Sequence, residues 1–209
     1  MATVVTICNI ALSRIGDSAT VSSISPPDGS AQAEACSRLY PVALSTCLDL
    51  FNWSFAIRRK KLAELSSSMV DKGMWRFAYA LPADCKRVVD IRPTEESHIR
   101  LHHALGHKIE FECVGTDFGM VLLSNIDAPI VRYVCAEPKP SQFTGLFTDA
   151  LAWLLASYLS GETIRGDSAF AYTQNCQKQF QAVIATAMTQ DAKQTNVFRK
   201  HLPIWIERR

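Results

Sequence analysis

The apolar period of this chain changes twice, and each change constrains the fold more than any single motif does. Cys36, Leu39, Tyr40, Ala43, Leu44, Cys47, Leu48 and Phe51 recur at three- and four-residue intervals, the stripe of a helix packed on a core. After Trp53, and as far as about Ala136, the period is mostly two. Trp75, Phe77, Tyr79 and Leu81 alternate with Arg76, Ala78 and Ala80, which predicts a strand with one large aromatic face. Pro82 stops that strand, Asp84 can bond its own backbone in a turn, and Val88, Val89 and Ile91 resume a β-branched run, so the stretch reads as a hairpin. Ile109, Phe111 and Cys113 alternate with Glu110 and Glu112, Met120 to Leu123 is a short apolar run, and Ile130 to Cys135 is β-branched and aromatic. Turn residues Gly106, Gly115, Gly119 and Pro129 punctuate these runs, predicting an antiparallel sheet that can fold into a small sandwich or barrel.

Helical spacing holds on both flanks of this middle region. Thr3 can cap a first helix whose apolar face is Val4, Ile7, Ala11, Leu12 and Ile15, and Gly16 can close it in a left-handed conformation. The stretch 17–29, with Ser25-Pro26-Pro27-Asp28-Gly29, is a loop, and Ser30 can cap the second helix. Pro41 inside that helix removes a donor and crowds the preceding turn, predicting a kink or a break near Arg38 to Pro41. Beyond 136, Phe147, Ala150, Leu151, Leu154, Leu155 and Leu159 mark a third helix, which Ala152, Trp153 and Ala156 make apolar on nearly every side. That implies burial all round, in a core or between subunits. A loop at 161–167 precedes a fourth helix with Tyr172, Cys176, Phe180, Val183, Ile184 and Ala187. The expected fold is α+β. Helix pairs at 1–53 and 138–192 form one bundle, an antiparallel β-domain at 54–137 is inserted between them, and 193–209 is an extended docking tail.

Composition excludes several classes of function. Of 209 residues 48% are hydrophobic, enough for a substantial core, and a formal net charge of +2 is far from the balance of a protein that binds mainly by neutralising phosphates. The most apolar segment, Ala150 to Ala156, is too short to span a bilayer, and no signal-like start is present, so a soluble chain made in the cytoplasm without a membrane partner is expected. Cys8, Cys36, Cys47, Cys85, Cys113, Cys135 and Cys176 are odd in number and contain no C-x-x-C pair, the pattern of reduced, buried small hydrophobes.

Four segments carry residues with chemical potential. His98, His102, His103 and His107 fall at spacings that on a helix would let pairs share a metal, but Ser97 and Gly106 point to a solvated loop. Arg58, Arg59, Lys60 and Lys61 are a basic run beside Trp53 and Phe55, either a solvated strand edge or, if repeated around a ring, a belt facing DNA or an acidic partner. Glu34, Glu64, Glu95, Glu110 and Glu112 are available as carboxylates for glycoside cleavage, but Glu95-Glu96 and Glu110 to Glu112 are more simply solvated positions than an acid and base at a sugar-sized separation. No nucleophile elbow, zinc-protease motif, phosphate loop or dinucleotide fingerprint is present, so no catalytic residue and no cofactor is expected. Phe198, Arg199, Lys200, Leu202, Ile204, Trp205, Ile206, Arg208 and Arg209 combine large apolar groups with cations, and a segment of that kind gains nothing free in water, so it is expected to dock, either on its own domain or along a groove or sheet edge of a neighbour.

Taken in order, Asn9 to Gly16 (NIALSRIG), Tyr40-Pro41, Trp53-Ser54-Phe55-Ala56, Trp75-x-x-x-Tyr79 and Leu81-Pro82-Ala83-Asp84-Cys85 form a pattern. It continues through a strand ending at Tyr133, a Pro138 loop and a helix around Phe147 to Leu159. The chain resembles in this the head-to-tail adaptors of short-tailed bacteriophages, variously called tail tubular protein A or tail accessory factor. The resemblance implies a structural virion protein at the head–tail junction, made in the cytoplasm of the host bacterium. It implies a dodecameric ring beneath the portal protein that meets a nozzle or tail tubular protein B-like component and passes double-stranded DNA without sequence specificity, and it favours the portal as the partner on which residues 198–209 dock. The rival expectation is a small enzyme of the peptidoglycan hydrolase kind, or a metal-binding module using the His98–His107 segment.

Overall fold

Side-chain caps start both N-terminal helices. In the structure, a computed structural model describing residues 2–65, 73–94, 109–117, 119–163 and 167–194, helix α1 runs Val4–Arg14 and helix α2 Ala31–Leu50. The Thr3 hydroxyl accepts the Thr6 N–H at 3.1 Å, and the Ser30 hydroxyl accepts that of Ala33 at 3.1 Å. Gly16, at φ 80°, closes α1 as expected: its N–H bonds the Ser13 carbonyl while the Asp17 N–H reaches back to Leu12. In the intervening loop the Asp28 carboxylate accepts the backbone N–H groups and hydroxyls of both Ser22 and Ser30. The Ser30 hydroxyl, then the backbone N–H groups of Ser22 and Ser30, hold that carboxyl well below the usual range.

Pro41 does not break α2, which is one helix from Ala31 to Leu50. The ring lies on the exposed side, while Tyr40, Ala43, Leu44, Cys47 and Leu48 are buried. Burial of that stripe outweighs the one donor the proline removes.

The β-region has seven strands among the described residues: β1 (Ile57–Lys61), β2 (Ala63–Glu64), β3 (Phe77–Ala80), β4 (Cys85–Arg92), β5 (Phe111–Thr116), β6 (Gly119–Ser124) and β7 (Ile130–Cys135). They form two antiparallel sheets, ordered β1-β7-β4 and β2-β3-β6-β5, and β1 and β2 are consecutive pieces of one strand that changes sheet at buried Leu62. The expected hairpin between β3 and β4 is not formed. β3 pairs with β2 and β6, and β4 pairs with β7. Pro82 offers no N–H to continue the β3 ladder. The chain crosses to the other sheet, where the Asp84 carboxylate accepts the Tyr133 hydroxyl at 2.9 Å instead of bonding its own backbone, and the Asp84 carbonyl accepts the Ala136 N–H.

Trp75 also departs from expectation. Tyr79 packs with Leu62, Ile91, Leu122, Val131 and Tyr133, joined by half-buried Phe77 and Leu81. Trp75 packs with Ala78, Val121 and Leu123 in a separate cluster. The strand starts only at Phe77, and at Arg76 the N–H bonds the Asn125 side chain, so the alternation does not extend back to Trp75. Both Ala78 and Tyr79 are buried, so β3 is covered on both sides.

Helices α3 (Gly145–Thr163) and α4 (Asp167–Ala192) follow. Gly161 to Thr163, expected in a loop, continue α3. This helix packs against α1, α2 and α4, and burial inside the chain accounts for its all-round apolar character. Leu146, Trp153 and Tyr158 are left half-open, and the Arg14 guanidinium lies over the Trp153 ring at 4.0 Å while bonding Asp149 through both carboxylate and carbonyl. Tyr172, expected on the apolar face of α4, is exposed, as is Phe170, whereas Cys176, Ile184 and Ala187 are buried. The same core takes in Val134 of β7, with Ile57 and Val89 against it, so helices and strands share one apolar interior. The chain is α+β.

Candidate partner interface

The turn after α2 organises the surface that carries the basic run. Trp53 is fully buried and donates its indole N–H to the Cys47 carbonyl at 2.8 Å. Around it, Phe51 and Phe147 meet the ring edge-on at 5.3 and 4.9 Å, and Phe55 stacks at 5.9 Å. Phe143 closes the group against Phe55 and Phe147. These contacts fix the 3-10 turn Ser54–Ala56, from which β1 leaves.

Asp191 anchors the same turn from the other end of the chain. Its buried carboxylate accepts the Ser54 N–H at 2.8 Å and the Ser54 hydroxyl at 2.7 Å, and that hydroxyl also lies 3.0 Å from the Gln194 side-chain oxygen. Ser54, Phe55, Arg58, Gln142, Thr144 and Gln194 then line a shallow, open cleft of about 420 Å³. Gln142, Thr144, Asp191 and Gln194 were not singled out from sequence, and Ser54 only as part of the Trp53-Ser54-Phe55-Ala56 pattern. Asp191 left one clue: an acid in the last turn of a helix opposes the macrodipole and requires a partner elsewhere.

The four basic residues divide into two kinds. Arg58 is half-buried and structural: its guanidinium donates to the Phe55 and Ile57 carbonyls at 2.9 and 3.2 Å and to the Gln142 side chain at 3.1 Å. Arg59, Lys60 and Lys61 are exposed on β1, an edge strand of its sheet, and none forms an ion pair among the described residues.

The remaining candidates supply little chemistry. His98, His102, His103 and His107 lie outside the described residues, as do Glu95 and Glu96 and the segment from Phe198 to Arg209 that was expected to dock. Glu34, Glu64, Glu110 and Glu112 are exposed, and Glu112 accepts the Trp75 indole N–H at 2.9 Å. Among the described residues no group of three or more His, Cys, Asp or Glu is arranged to hold a metal. Cys8, Cys36, Cys47, Cys135 and Cys176 are buried as expected, but Cys85 is half-buried and Cys113 is exposed on edge strand β5. Desolvation pushes Cys47 up to about 12 and Cys85 to about 11, with Cys113, Asp84 and Cys135 adding to the effect at Cys85. Cys113 is raised too, by desolvation of its thiol and then by Glu112, although the residue as a whole is exposed. A nucleophilic thiolate needs the opposite environment.

No protein-family model matches the chain, and comparison with curated proteins gives no match. Among the described residues no helix is long and apolar enough to cross a membrane.

Proposed function

We propose that this chain is a head-to-tail adaptor of a short-tailed bacteriophage, a structural protein that assembles as a ring between portal and tail and lets DNA pass. One observation carries the reading. The large residues that make the resemblance lie mostly inside: Tyr40, Trp53, Ala56, Tyr79, Tyr133, Phe147 and Leu159 are buried, Phe55, Trp75 and Leu81 are half-buried, and Pro41, Ala83 and Asp84 are exposed. The buried part of the pattern reports the fold that those positions build, and the function is carried over from the resemblance.

The work of such a protein resides in interfaces and needs no active site. Many identical copies around an axis make individually weak contacts sufficient, because engagement of one raises the effective concentration of the rest. The apolar and basic residues of the segment 198–209 supply the portal anchor in this reading, and the exposed cations of β1 present positive charge to whatever lies beside them. Light scattering of the chain mixed with its cognate portal tests it. The expected result is a ring-sized complex, lost when residues 198–209 are deleted while the circular dichroism spectrum is kept; an unchanged monomer mass in a stoichiometric mixture overturns it.

A further inference from the structure

The hydrogen bonds of the strand that runs through β1 and β2 alternate between its two edges. The Leu62 N–H bonds the Pro129 carbonyl on the β7 side, and the Leu65 N–H bonds the Ala78 carbonyl on the β3 side. Even-numbered residues therefore aim their backbone groups at β7, and odd-numbered residues at the opposite edge. The register Ala63↔Ala80 ends the β3 side of the ladder there, since the next odd position, Lys61, would meet Pro82, which has no N–H to give. The Ile57 N–H is taken by the Trp53 carbonyl. Arg59 and Lys61 are left with backbone donors and acceptors that no other described residue engages, on an edge flanked by three exposed, unpaired cations.

We propose that this edge accepts an extended acidic polypeptide segment, which adds to β1 as a further strand beside Arg59 and Lys61. Charge decides the occupant. A second copy of the same edge would set Arg59, Lys60 and Lys61 against their own like charges, and an apolar strand would leave all three unmatched. A strand alternating acidic with β-branched residues places its carboxylates on one face, beside Arg59 and Lys61, while its main chain completes the ladder. Backbone complementarity distinguishes this occupant from a nucleic acid duplex, which would use the cations and leave the Arg59 and Lys61 main-chain groups unmet. The inference does not depend on the adaptor reading.

The test is fluorescence anisotropy of the full chain with a labelled peptide alternating Glu and Val, its backbone N-methylated counterpart, and a short DNA duplex. Saturable binding of the plain peptide is expected, weakened at least about tenfold by N-methylation. Arg59→Pro deletes an outward N–H without touching the β7 ladder, and it should give a similar loss with an unchanged circular dichroism spectrum. The double substitution Arg59→Glu and Lys61→Glu keeps the backbone and should also abolish binding. No binding of the peptide, equal binding of the N-methylated form, or tighter binding of the duplex overturns the proposal. Should Arg59→Pro unfold the chain, the N-methylated peptide and the charge reversal decide it.

Discussion

Tyr79 does two jobs that Trp75 does not. Its ring fills the space between the sheets, and its hydroxyl donates to the Ile126 carbonyl at 2.7 Å and accepts the Ala128 N–H at 3.0 Å. Ala128 sits at φ 45°, a conformation unfavourable for a side chain, so the hydroxyl pins a strained loop. Tyr79→Phe should therefore cost about 1 kcal/mol through two lost, part-buried hydrogen bonds. Tyr79→Ala should cost about 3–5 kcal/mol. Trp75→Ala, at a half-buried position, should cost clearly less than Tyr79→Ala; urea unfolding of the three variants gives the order. Weak acids held wholly or partly out of water define a second residue-scale prediction. Desolvation, then the Asp84 hydrogen bond, pushes Tyr133 up to about 12, beside Cys85 at about 11 and Cys47 at about 12. All three are raised above their unfolded values, so the unfolded chain loses these protons first and stability falls as pH rises. It should be fully present below about pH 9 and fall progressively to about pH 12, measured as the urea midpoint across that window.

At the scale of elements, α2 shows how burial overrides a local rule. Pro41 contributes no N–H and sits in a poor position for a helix, yet the stripe of Tyr40, Ala43, Leu44, Cys47 and Leu48 holds the backbone helical through it. Pro41→Ala restores the donor at an exposed site. The variant should gain about 1 kcal/mol or more, seen as a higher melting temperature. A lower melting temperature would mean that the proline contributes to folding in a way the helix geometry does not explain. The two sheets illustrate the converse. Lys86 of β4 bonds Ser45 at 2.6 Å and pairs with Asp49 at 3.0 Å, tying the sheet to α2 through contacts that no strand periodicity encodes.

For the whole molecule, the decisive feature is that helices and strands share a core through Trp53, Phe147, Ile57 and Val134. Trp53→Ala should cost about 3–5 kcal/mol. Because the core is shared, the loss should appear equally in hydrogen-exchange protection of α3 and of β7, and unfolding should be one transition by every probe. Loss of protection in α3 alone would show two independently stable parts.

Much of this architecture was legible in the chain itself because its signals are local. The period of three to four and the period of two place helices and strands, Thr3 and Ser30 cap the helices they precede, and Gly16 takes the left-handed closing position. Arg59, Lys60 and Lys61 were visible as a charged strand edge for the same reason. Alternation tells which residues share a side of a strand, but not which strand lies alongside, and so it misassigned the partner of β3 and the side on which Trp75 packs. Nor could it find the Asp191 carboxylate beside Ser54, 137 residues away, or the division of the basic run into one structural arginine and three exposed cations. Those outcomes depend on where Pro82 sends the chain and on how α4 returns to the turn after α2, distances in space that only packing of the whole chain sets.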